Sequence, residues 1–74
     1  MAKIPIISGK TTVKTLGKLG YYIARKKGSH FRLLHNTKEP ITIPDHKTIG
    51  KGLLKKILRD VHISVDDFIK LLKE

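Results

Sequence analysis

The sequence predicts an α+β fold: a three-stranded antiparallel sheet with helices on one face, in the order α-β-β-β-α-α. Three observations carry this expectation. Leu54, Ile57, Leu58 and Val61, and then Val65, Phe68, Ile69 and Leu72, recur at helical spacing in the last third of the chain. Strand formers flank Lys26-Lys27-Gly28 in the manner of a hairpin, and Ile41-Thr42-Ile43 before Pro44 supplies a third short strand. Ser8 stands ready to cap a helix ahead of all three strands. The 74 residues give room for one domain, 1–74, and show no internal repeat, linker or low-complexity segment.

Met1 to Ile7 read as an extended lead-in, because Pro5 and the flanking isoleucines resist an early helix. A first helix then runs from about Gly9 to Leu19 on the spacing Val13, Leu16, Leu19, with Gly20 in the left-handed C-terminal position. Gly17 inside it either admits a close neighbour or is simply a tolerated surface glycine. The hairpin strands are Tyr21–Arg25 and Ser29–His35. A three-residue loop with Gly28 in a bulge sets Ile23 opposite Phe31 and Tyr21 opposite Leu33, which makes one face apolar throughout. His30, Arg32, Tyr22 and Ala24 then share the other, open face. Asn36 to Pro40 carries turn chemistry before the third strand, and a loop through Asp45, His46 and Lys47 follows it. The second helix spans about Gly52 to Asp60. The last begins at Ser64, with Asp67 as the reciprocal member of a capping box and Ile63 stapled to Phe68.

Charge is the strongest compositional signal. Sixteen Lys and Arg against six Asp and Glu give a formal net charge of +10, which predicts a polyanionic partner. The first acidic residue is Glu39, and nine Lys and Arg precede it, so the N-terminal half is the phosphate-facing half. Absence of cysteine removes thiolate zinc sites and cysteine nucleophiles, and fits a reducing compartment. With neither a signal-peptide core nor an apolar run of membrane-spanning length, the expectation is a cytoplasmic protein with no membrane contact. A core this small also leaves little volume for an organic cofactor, and none is expected.

Most enzyme classes find no support. No nucleophile elbow occurs, and Gly9-Lys10-Thr11 imitates the end of a phosphate loop without its glycine-rich stretch or preceding strand. No metal site is expected either. His30 and His35 fall on opposite faces of one strand, and His46 and His62 lie in separate segments. What remains is a histidine in a basic surround, which suits metal-free RNA cleavage, where the 2′-hydroxyl is the nucleophile. An imidazole, with an ordinary pKa near ~6.5, can take that proton at cytosolic pH. Lys or Arg must then stabilise the crowded phosphate. His30 is the catalytic candidate, with Lys26, Lys27, Gly28, Ser29, Arg32 and His46 as RNA-binding candidates. The second catalytic group stays open among Lys26, Lys27, Arg32 and His46.

Ser8-Gly9-Lys10, Leu19-Gly20-Tyr21, Gly28-Ser29-His30, Ile43-Pro44 with His46, then Leu54, Ile57-Leu58, Ile63-Ser64 and Phe68 occur together along the chain. In this order and spacing they resemble the HicA family of toxin mRNA interferases. The resemblance implies a fold like that of the double-stranded-RNA-binding domain and metal-free cleavage of mRNA by the histidine of the Gly-Ser-His motif. It also implies neutralisation by a HicB antitoxin. Residue by residue, Gly28, Ser29 and His30 carry over, with His46 a neighbour. Two departures touch helix starts. Thr11 stands where relatives often place an acidic residue, which predicts a fraying first turn, and Leu53 follows Gly52 where relatives often have Thr, which removes a hydroxyl cap. The rival reading is a non-enzymatic module that binds double-stranded RNA by shape.

Overall fold

Alternation along the second strand sets the layering, because Phe31 and Leu33 turn into a core with Ile41, Ile43, Leu16, Leu54, Leu58 and Phe68 while His30 and Arg32 turn away from it. The computed structural model describes residues 3–74; Met1 and Ala2, the head of the expected lead-in, lie outside the described residues. The elements are α1 (Gly9–Gly17), β1 (Tyr22–Lys27), β2 (His30–Leu34), β3 (Ile41–Pro44), α2 (Lys51–Asp60) and α3 (Val65–Lys73). Both strand pairings are antiparallel and the sheet order is β1-β2-β3. The α+β class and the order α-β-β-β-α-α are those the sequence predicts.

α1 begins as expected at Ser8, whose Oγ accepts the Thr11 N–H at 3.0 Å. The predicted fraying is not seen, because the Ser8 hydroxyl also donates to Thr11 Oγ1 and the Gly9 N–H donates to the His46 carbonyl at 2.9 Å. The buried stripe differs from the predicted one. Thr12, Thr15 and Leu16 face inward, while Val13 and Leu19 are only half-buried. The two threonines are accommodated because their hydroxyls donate to the carbonyls four residues back, those of Ser8 and Thr11. Regular helix stops at Gly17, but the chain keeps turning until Gly20, with φ +103°. There the Gly20 and Tyr21 amides donate to the Gly17 and Leu16 carbonyls, the paired bonds of a Schellman end. Gly9, rather than Gly17, admits a close backbone neighbour: a Cβ at Gly9 would collide with the Pro44 carbonyl oxygen, whereas one at Gly17 would meet nothing within 4 Å.

The hairpin register differs from the expected one. Lys27 pairs with His30 across a two-residue turn, Gly28-Ser29, with φ +60° at Gly28 only, which is the arrangement of a type II′ turn. The extra residue is absorbed not at the turn but in the strand, where a bulge at Ala24 separates the pairs Ile23–Leu33 and Arg25–Arg32. The bulge changes the alternation of β1. Tyr22, Arg25 and Lys27 therefore share the open face with His30, Arg32 and Leu34, while Ile23 and Lys26 lie on the side of Leu33 and Phe31. An all-apolar inner face is not what selects the register, because β1 is an edge strand with every residue exposed, Ile23 at 49% among them.

Tyr21 reaches the core from just before β1. It is buried, its hydroxyl donates to the Glu39 carbonyl at 3.0 Å, and its ring lies 4.9 Å from that of His35. Burial, and then the Glu39 charge, hold its hydroxyl pKa above the ordinary phenol value. His35 staples the same corner. Its Nδ1 accepts the Thr37 and Lys38 amides, which leaves the proton on Nε2 to be donated to the Leu19 carbonyl at 2.8 Å.

α2 buries the predicted stripe of Leu54, Ile57, Leu58 and Val61, and its start at Gly50 has no side-chain cap. Its end is a second Schellman turn. His62 and Ile63 donate to the Arg59 and Leu58 carbonyls, and His62 takes the left-handed position with φ +60°, where glycine is usual. At α3 the Ser64 Oγ accepts the Asp67 amide, the one half of the predicted capping box that forms, and Ile63 packs against the core cluster to which Phe68 belongs. Two lysines serve the fold. Lys18 Nζ donates to the Leu71 and Glu74 carbonyls at the end of α3, and Lys38 Nζ to the Val61 carbonyl at the end of α2.

Candidate active site

Three segments converge at the tip of the hairpin. The Asp45 amide donates to the Ser29 carbonyl, the Gly9 amide to the His46 carbonyl, and Gly9 packs directly on Pro44 and Asp45. The start of α1, the turn before β2 and the end of β3 are thereby held as one unit. Only glycine fits at position 9, because any side chain there would drive the Pro44 carbonyl away.

His30 opens β2 at this junction, paired with Lys27 on one side and Pro44 on the other, and its side chain is exposed. Further along the same face Arg25 pairs with Arg32, and Arg32 donates from Nη1 to Thr42 Oγ1 at 2.9 Å. Like charges directly opposed across a strand pair repel one another, so this face is set to gain from a bound anion. The strands contain no acidic residue to offset them.

The sequence-derived candidates divide between two faces. Lys27, His30 and Arg32 come together on the open one, with Gly28 and Ser29 exposed at its corner. Lys26 lies behind it. Its ammonium is 2.7 Å from the Asp45 carboxylate and 5.0 Å from the centre of the Phe31 ring. That hydrogen bond, reinforced by the charges of Lys26, Lys10 and His46, holds the Asp45 carboxyl below the ordinary carboxylate range against its partial desolvation. His46 is exposed in the same loop and belongs to the junction through its carbonyl.

Arg25 and Asp45 are members of this region that the residue pattern did not single out, whereas Tyr22 lies on the open face as expected. Arg25 needs the Ala24 bulge to reach the open face, and Asp45 needs the fold to bring Lys26 to it. Among the described residues no three His, Asp or Glu side chains cluster in a way that could hold a metal ion, and no helix is long and apolar enough to cross a membrane.

A search of curated proteins returns no match to this chain. The family model described as the HicA toxin of bacterial toxin-antitoxin matches residues 9–63, a span that runs from the glycine packed on Pro44 through all three strands to the end of the α2 turn. The chain therefore belongs to the HicA toxin family, the toxin side of a bacterial toxin–antitoxin pair.

Proposed function

We propose that this toxin is a metal-independent endoribonuclease that cleaves mRNA, with His30 as general base and a HicB-like antitoxin as its inhibitor. The observation that carries the reading is the position of His30, exposed at the corner of an open basic sheet face and directly opposite Lys27. Neutral His30 takes the proton of the substrate 2′-hydroxyl as that oxygen attacks the adjacent phosphorus. The P–O5′ bond breaks, leaving a 2′,3′-cyclic phosphate and a 5′-oxygen that takes a proton from solvent, to which the His30 imidazolium returns its own. Lys27, Arg25 and Arg32 offset the charge gathering on the phosphate. The chemistry needs no metal because the nucleophile is already part of the RNA.

Family membership supports the toxin role, and the charge supports a polyanionic substrate. A site on an open face has no lid, so the direct way to silence it is an antitoxin that is acidic where it covers His30.

Replacement of His30 by Ala tests the proposal. The variant is expected to fold with a stability change under about 0.5 kcal/mol, since the side chain is exposed, and to lose RNA cleavage and growth inhibition while RNA binding survives. Wild-type cleavage should persist in EDTA. A folded His30→Ala protein that cleaves at the wild-type rate removes the histidine mechanism, and a wild-type protein that binds double-stranded RNA without ever cutting RNA belongs instead to the binding modules.

A further inference from the structure

Adjacent tyrosines have opposite fates in this fold. Tyr21 is 5% exposed and anchored, whereas Tyr22 is 51% exposed on the open sheet face, in register with Leu34. Nothing in the core requires an aromatic ring at position 22. Its row is one of three on that face. From the hairpin tip the cross-strand pairs run Lys27–His30, Arg25–Arg32 and Tyr22–Leu34. Successive same-face positions on β2 are about 7 Å apart, roughly the reach of one nucleotide of an extended strand. The face therefore presents an imidazole with an ammonium, then two guanidinium groups, then an aromatic ring beside an aliphatic side chain.

We infer that Tyr22 and Leu34 form a base-stacking subsite for an extended single strand of RNA whose cleaved phosphate lies at His30 and whose neighbouring phosphate lies between Arg25 and Arg32. The inference rests on the proposed cleavage at His30 and adds the part of the substrate it must hold. A phosphate bound across this row offsets the like charges of Arg25 and Arg32, with Arg32 held from the β3 side by its bond to Thr42. Stacking on an exposed aromatic tolerates any base, since every base has a π-face, so the subsite selects for an unpaired nucleotide rather than for sequence. A duplex keeps its bases stacked on one another and offers none to Tyr22.

The test uses the whole chain carrying Tyr22→Trp, since the protein has no tryptophan of its own. A short single strand of 2′-O-methyl RNA, which has no free nucleophile, is titrated against it alongside the same strand annealed into a duplex. The single strand is expected to quench the emission of the introduced indole and the duplex to leave it unchanged. Tyr22→Ala should weaken single-strand binding by roughly 5- to 150-fold, the range that corresponds to one stacked base, and Tyr22→Phe should bind like wild type. Single-strand binding with unchanged emission and no loss in Tyr22→Ala overturns the subsite while leaving cleavage at His30 standing. Equal quenching by the duplex overturns the preference for an unpaired base. A wild-type protein that neither binds nor cuts single-stranded RNA removes the underlying reading and the subsite with it.

Discussion

Lys26 and Asp45 form an ion pair of 2.7 Å that joins the hairpin tip to the loop after β3, on the side of the sheet away from His30. Its neighbour Lys27 faces His30. Two consecutive lysines that look equivalent in the sequence thus have different duties, one tying the fold together around Phe31 and the other facing solvent beside the candidate base.

The pair makes stability depend on acid in a defined direction. Asp45 has a lowered native pKa, chiefly from its hydrogen bond with Lys26, so its contribution is complete above the ordinary carboxylate pKa of about 3.9 and is lost as pH falls through the native value. Asp45→Asn lacks that contribution at every pH. The difference in Tm between wild type and Asp45→Asn should be constant from neutral pH down to about pH 5 and should close below the ordinary carboxylate value. A difference that persists or widens in acid would contradict the assignment.

RNA binding should separate the two lysines. In a His30→Ala background, in which cleavage is expected to be lost, log affinity for single-stranded RNA should fall linearly with log salt. Lys27→Ala should reduce the slope by about 0.7, the value of one neutralised phosphate, and Lys26→Ala should leave it nearly unchanged. Slopes altered in the opposite order would place the RNA on the other side of the hairpin.

Two glycines of α1 should respond to alanine with opposite signs. Gly9→Ala puts a methyl group against the Pro44 carbonyl and should destabilise by about 2 kcal/mol or more, loosening the junction that carries Ser29 and His46. Gly17→Ala meets no neighbour and should stabilise by roughly 0.5 kcal/mol through helix propensity and a less disordered unfolded chain. Urea unfolding of both variants checks the pair, and equal losses would mean that position 9 is not the tight one.

Much of the architecture was legible because its signals are local. Ser8 and Ser64 cap the helices they precede, Gly20 takes the left-handed position after α1, and the α2 stripe is buried as its spacing predicts. Burial of Thr12 and Thr15 was not legible, since it depends on hydroxyls that find carbonyls within the helix. Nor was the left-handed His62, where a Schellman turn overrides the preference for glycine. For the site, alternation along β2 placed His30 and Arg32 on the open face, because Phe31 and Leu33 alternate with them and are buried. On β1 no such guide exists. Every residue of that edge strand is exposed, so hydrophobic alternation there carries no information about which way its charges turn.

The bulge at Ala24 makes β1 sensitive to its length more than to its composition. Exposed positions tolerate most substitutions, and removing Ala24 would leave Ile23–Leu33 and Arg25–Arg32 adjacent in one uninterrupted ladder, with Tyr22, Arg25 and Lys27 still on one face. Loss of Ile23 or Lys26 with the bulge kept would instead turn part of the set Tyr22, Arg25 and Lys27 to the other face. Among descendants of this chain, the strand can accept point changes outside Tyr22, Arg25 and Lys27, and Ala24 is the codon whose loss keeps the face whole.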